Sequence, residues 1–207
     1  TEAWDLWEPL RLLSSEADQP DAEVRATHAL LGSEQLGDEK RSVLLKNLAI
    51  LRTDLVPDIP EAIASWNKYL EFVPTDRAGH EACAELLERA GNHQEFAAQL
   101  SRMYLMPELG YGEDARVELR LRQVDVISNT LKRTEDAAEL LETLITEFPD
   151  QEEPWHQLDR MYRTHDDPSL LASLLVRHLR RPDVHGLPRV RFTHAPVALG
   201  RVPEQVL

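Results

Sequence analysis

The sequence predicts an all-α protein: a stack of antiparallel helix hairpins, about ten helices in all. Three observations carry that expectation. Apolar residues recur three and four apart along most of the chain, and no comparable stretch alternates with period two, so essentially no β-sheet is expected. Breakers and cap residues fall between those stretches at short intervals, which makes neighbouring helices antiparallel. One stretch is also written twice, since PEAIASWNKYLEFVPTD at 60–76 has the plan of EDAAELLETLITEFPDQ at 135–151.

The elements follow in chain order. Residues 3–34, with Trp4, Trp7, Ala22, Val24 and Leu31, read as a partial and poorly matched helix pair. Leu45, Leu48, Leu51 (or Arg52) and Leu55 form the first full stripe; Ile63, Trp66, Leu70 and Val73 form its partner. Cys83, Leu86 and Leu87 come next, then Phe96, Leu100 and Met103. Leu121, Val124, Ile127 and Leu131 precede Leu141, Leu144 and Phe148; Leu158, Met161 and Tyr162 with Leu171, Leu174 and Leu175 close the series. Asp58 with Glu61, and Asn92 with Glu95, have capping-box spacing, in which each side chain satisfies an otherwise unpaired N–H. Asp167 before Pro168 reads as a cap with proline at the first helical position.

Aligned at an offset of 75, Ala62 meets Ala137, Trp66 meets Leu141, Leu70 meets Ile145 and Pro74 meets Pro149. The same offset pairs Cys83 with Leu158, Leu86 with Met161, Leu87 with Tyr162 and Ala97 with Ala172. Seventy-five residues hold two hairpins, so one unit averages just under 38. The duplication has a physical reason. A single hairpin leaves an apolar face uncovered, so each unit needs a neighbour and copies can stack.

These residues resemble the tetratricopeptide (TPR) family. WHQLDRMY places Trp155, Leu158 and Tyr162 at the first-helix spacing, and AIASWNKYLEFVP places Ala62, Trp66 and Pro74 at the second-helix spacing. Ala137, Leu141 and Pro149 repeat the latter. The resemblance covers roughly residues 43–182, and the chain is similar to a piece of the long TPR-type scaffolds found in bacteria. It departs from the pattern where His80 holds the tryptophan position and Asp159 replaces the usual glycine, and its links, PELGYGED above all, are long. The resemblance implies a TPR-like α-solenoid, a right-handed superhelix, over residues 1–182. Its hairpins fall at about 43–74, 77–107, 119–149 and 152–182, and an irregular basic tail follows at 183–207.

Composition narrows the function. The 207 residues carry a net charge of −14, which repels phosphate backbones, so no nucleic-acid partner is expected. Residues 176–207 hold six arginines and two acids, a balance of +4, which leaves −18 on residues 1–175. A lone cysteine excludes an internal disulfide framework. With no membrane-length apolar run and no leader pattern, no membrane association is expected and the expected compartment is the cytoplasm.

Candidate chemistry gives way to plainer readings. His80 and Cys83 stand three apart on one helix, but two ligands do not close a zinc site, so no metal and no cofactor is expected. Glu81, Glu85 and Glu88 would raise rather than lower the Cys83 thiol pKa, so a buried small hydrophobe is expected there. His165, Asp166 and Asp167 precede Pro168 and read as turn and cap. No phosphate loop, HExxH, nucleophile elbow or dinucleotide motif occurs, so no catalysis is expected.

The resemblance instead implies a protein-interaction scaffold that holds a peptide or protein segment on a concave face built from first helices. Carried over residue by residue, that face comprises Lys46 and Ile50, Glu81 and Glu85, Arg122 and Val126, and His156 and Arg160. The signs alternate, implying a ligand with both charges. Glu81, Glu85 and Ile50 oppose the family's carboxylate-clamp set. The competing expectation is a structural spacer or assembly segment of a longer repeat protein, with no ligand of its own.

Overall fold

In the first hairpin, α1 (Glu2–Glu16) turns through Asp18, whose φ is 52°, into α2 (Pro20–Leu31). Pro20 sits in the first helical turn, where its missing N–H costs nothing. The computed structural model describes residues 2–33, 36–54, 58–164 and 176. Arg11 holds this pair together, bonded to Glu8 at 2.9 Å on its own helix and facing Glu23 of α2 at 3.7 Å. Trp7 and Leu31 pack against Leu30, Leu36 and Leu44, which joins the hairpin to α3 (Asp38–Asp54). Arg41 strengthens that join by donating to the terminal carbonyls of Leu31 and Ser33 at 2.9 and 3.1 Å.

The second hairpin pairs α3 with α4 (Ile59–Phe72). Asp58 caps α4 through the Glu61 N–H at 3.2 Å, as its spacing predicts. The Trp66 indole donates to Thr53 Oγ1 at 3.0 Å, so this buried ring has its one polar group satisfied. Next come α5 (Arg77–Arg89) and α6 (His93–Leu105). Gly79 lets α5 approach α4 closely: a Cβ there would lie 3.1–3.3 Å from Leu70, Tyr69 and Trp66. Gly91 in the left-handed region ends α5 with a Schellman closure, its Asn92 N–H reaching Leu87 O at 3.0 Å. The expected Asn92 capping box is absent: the Asn92 amide bonds the Glu95 carboxylate instead of the backbone.

A short 3₁₀ turn at Pro107–Leu109 and left-handed Gly110 lead into α7 (Glu113–Asp125), which runs on through a π-helical turn at Val126–Thr130. Then come α8 (Thr134–Glu147) and α9 (Glu152–Thr164). The described residues thus hold nine α-helices and no strand. The tenth helix expected near Leu171–Leu175, the Asp167–Pro168 cap and the basic tail at 183–207 lie outside them.

The chain forms two compact units, Thr1–Leu144 and Ile145–Leu207. Within the first, each helix from α1 to α6 packs on its successor, so consecutive hairpins share one apolar layer. The predicted stripes build that layer: Ala62, Trp66, Leu70, Cys83, Leu86, Leu100 and Leu141 are all buried. Burying a side chain of leucine size contributes about 1.5–3 kcal/mol, so this layer dominates stability. In the second unit Trp155, Leu158 and Tyr162 are buried along one face of α9.

The two copies share a contact beyond apolar pattern. His80 Nε2 lies 2.8 Å from the carbonyl oxygen of Pro74, and Trp155 Nε1 lies 3.2 Å from that of Pro149. Both pairs differ by 75 residues, and both tie the start of a first helix to the turn before it. Pro74 and Pro149 themselves have exposed side chains, so at these positions the chain uses the fixed turn and the carbonyl rather than ring burial.

Candidate partner-binding groove

A groove of about 430 Å³ runs between α5 and α7. Arg77, Glu81, Ala84 and Glu85 come from α5, Leu100 and Met103 from α6, and Ala115, Glu118, Leu119 and Arg122 from α7. Tyr111 closes one end, projected from the loop before α7. Spacing explains the lining. Residues 77, 81 and 85 recur every fourth place on one helix, and 115, 118, 119 and 122 share a face of the other.

The polar rim is partly paired. Arg77 Nε bonds Glu81 Oε1 at 2.8 Å, and its guanidinium lies 4.2 Å from the centre of the Tyr111 ring. The Tyr111 hydroxyl donates to the same Glu81 oxygen at 3.0 Å. Burial, reinforced by that bond to a carboxylate, pushes the Tyr111 phenol up to about 12, so it stays a donor across ordinary pH. Arg122 pairs with Glu88 at 2.5 Å and lies over the Phe96 ring at 5.1 Å. Glu85 and Glu118 have no side-chain partner among the described residues.

Of the eight positions implied by the resemblance, the structure brings Glu81, Glu85 and Arg122 together in this groove. Ile50 lines a different one of about 410 Å³, with Asn47 of α3 opposite Arg11, Asp18 and Glu23. Lys46 instead bonds Asp76 at 2.7 Å, and Asp76 also accepts from the Tyr69 hydroxyl at 2.6 Å. Val126 is a correction: only 8% exposed, it belongs to the core at the π-helical turn. His156 is half-buried and Arg160 exposed on α9, in the second unit.

Sequence reasoning missed Arg77, Tyr111 and Glu118. One more step of four residues back along each first helix finds Arg77 from Glu81 and Glu118 from Arg122. Tyr111, flanked by two glycines, carried no signal of its own beyond an aromatic in a loop.

The residues weighed for chemistry have structural partners. His80 is 2% exposed, with Nε2 donating to Pro74 O and Nδ1 accepting from the Gln99 amide at 2.8 Å. Both ring nitrogens are therefore committed. Cys83 is fully buried 3.6 Å from Asn67 Oδ1, and burial pushes its thiol up to about 11, far from the thiolate that a nucleophile or soft-metal ligand needs. No metal-holding cluster of His, Cys, Asp and Glu occurs among the described residues, and no described helix is long and apolar enough to cross a membrane.

Comparison with known proteins adds a likeness of fold. The chain is similar to the solved structure of a Podosopora anserina kinesin light chain with nearly identical TPR-like repeats. That match has 15% identity and a TM-score of 0.46, covering 83% of this chain and 90% of that one. A structure of the MamA protein is similar at 16% identity and a TM-score of 0.44, covering 84% of this chain and 87% of the other. No family model and no curated protein matches the chain.

Proposed function

We propose that this TPR-like protein is an interaction scaffold and that the α5–α7 groove holds a segment of a partner protein. The observation that carries the reading is the build of that groove: an apolar floor of Ala84, Leu100, Met103 and Leu119 beneath a charged rim on two first helices. A floor of that kind takes up apolar side chains, and the rim fixes their register. Arg122 of α7 is part of that rim. The test is partner capture by the wild type and by Ala115→Trp, which fills the groove without changing its charge. Capture weakened severalfold in the variant supports the groove, and unchanged capture removes it.

A second reading, an assembly module, is favoured by α1. Leu6, Leu10 and Leu13 recur at one-face spacing there and are 72%, 43% and 61% exposed. A stripe of that kind suits packing against a further helix rather than holding an extended segment.

A further inference from the structure

We infer that the partner segment is basic: an extended peptide that places a lysine or arginine between Glu85 and Glu118 and an adjacent apolar side chain against Ala115 and Leu119. The inference rests on the groove reading above and adds the chemistry of the occupant. Charge is the first support. Both guanidiniums lining the groove are already matched, Arg77 by Glu81 and Arg122 by Glu88, whereas the Glu85 and Glu118 carboxylates have no side-chain partner among the described residues. An acidic peptide would add charge to those two carboxylates, and an ammonium or guanidinium would neutralise them.

The groove also contains its own example of the contact. The Arg77 guanidinium sits over the Tyr111 ring while bonding Glu81, so one end of the groove already receives a cation by stacking plus a carboxylate. Glu85 repeats the Glu81 carboxylate one turn further on, with Glu118 across from it on α7. The surrounding body, at −18 over residues 1–175, favours the approach of a basic segment in general.

The experiment measures fluorescence anisotropy of three labelled eight-residue peptides, alternating Arg-Leu, Gln-Leu or Glu-Leu, at low and physiological salt. The proteins are the wild type, Glu85→Lys/Glu118→Lys in the groove, Asp54→Lys/Glu71→Lys away from it, and Ala115→Trp as a steric plug, each checked for helicity. The expected result is Arg-Leu binding that weakens about tenfold in the groove reversal and in the plug, but much less in the distal reversal of equal charge. Equal losses in the two reversals would assign the binding to the general acidic field and overturn the inference. If Gln-Leu or Glu-Leu binds as tightly as Arg-Leu and the plug abolishes it, the groove stands and the basic partner falls. If neither the groove reversal nor the plug changes any peptide's binding, the groove reading falls as well.

Discussion

The turn from Pro74 to His80 and the turn from Pro149 to Trp155 do one job with different side chains. In both, a ring N–H on a first helix reaches back to a proline carbonyl, at 2.8 Å from His80 and 3.2 Å from Trp155. The rings differ in what else they demand. An indole has a single polar atom, which the carbonyl satisfies, and the rest is apolar. An imidazole has a second nitrogen, and inside a core that nitrogen needs a donor. Gln99 of α6 supplies it at 2.8 Å and also donates to the His80 carbonyl oxygen at 3.2 Å. The position matching Gln99 at the 75-residue offset is Leu174, an apolar residue in the copy that carries tryptophan. The lesson is that a repeat position keeps a hydrogen bond and a volume, and the next residue adjusts to whichever ring provides them.

The comparison breaks or holds most sharply on a swap. His80→Trp alone should cost about 2–4 kcal/mol, because it crowds a closed site and leaves a buried amide hydrogen without its acceptor. Adding Gln99→Leu, which transplants the pairing of the other copy, should recover at least about 1 kcal/mol of that loss. Gln99→Leu by itself should cost about 1–3 kcal/mol, since it strands the His80 Nδ1 acceptor. Urea unfolding followed by circular dichroism gives all three values. Strictly additive losses would mean that the two residues do not act as a pair.

The same logic separates the positions legible in sequence from those that were not. Ala62, Trp66, Ala137, Leu141, Leu158 and Tyr162 were legible because apolar spacing on a helix dictates one buried face, and all six are buried. Val126 was misread because the π-helical turn adds a residue to the local period and rotates the adjoining side chains toward the core, a change that spacing counted at 3.6 cannot anticipate. Lys46 was misplaced for another reason. Its partner Asp76 lies 30 residues away, and only the packing of α3, α4 and α5 brings the two together. Tyr111 reaches the groove through a loop whose path no periodicity fixes.

The Lys46–Asp76–Tyr69 cluster sharpens the comparison by being confined to one copy: Arg122, which takes the place of Lys46 in the concave-face set, Gln151 and Leu144 stand at the matching positions. Burial alone would raise the Asp76 carboxyl, but the bonds from Lys46 and Tyr69 outweigh it and hold the pKa below the usual carboxylate value. The same bond to Asp76 raises Lys46. A depressed acid contributes stability that is complete above its unfolded pKa of about 4 and is lost as pH falls through the folded value. A raised lysine contributes below its unfolded pKa of about 10.4 and loses it as pH climbs through the folded value. Asp76→Asn should therefore cost about 1–2 kcal/mol between pH 5 and 9. The gap to wild type should close at both extremes, and a cost independent of pH would show that shape, not charge, holds the cluster.

The smallest effect concerns how the first helix of a hairpin ends. Schellman-type closures finish α1 at Asp18, α5 at Gly91 and, one residue longer because of the π-helical turn, α7 at Lys132. The backbone does the same thing in each, with φ of 52°, 69° and 58°, but only Gly91 does it without a Cβ. At Lys132 the closure includes an Arg133 N–H to Ile127 O bond of 2.9 Å, so the left-handed residue is held in place by the turn around it. Lys132→Gly removes the strain of a side chain at positive φ and adds chain entropy to the unfolded state, two effects of opposite sign. The strain is the larger, so the variant should gain a few tenths to about 1 kcal/mol. Lys132→Ala keeps the Cβ and should gain nothing. If glycine and alanine behave alike in urea unfolding, the lysine side chain rather than its backbone angle sets the stability of this turn.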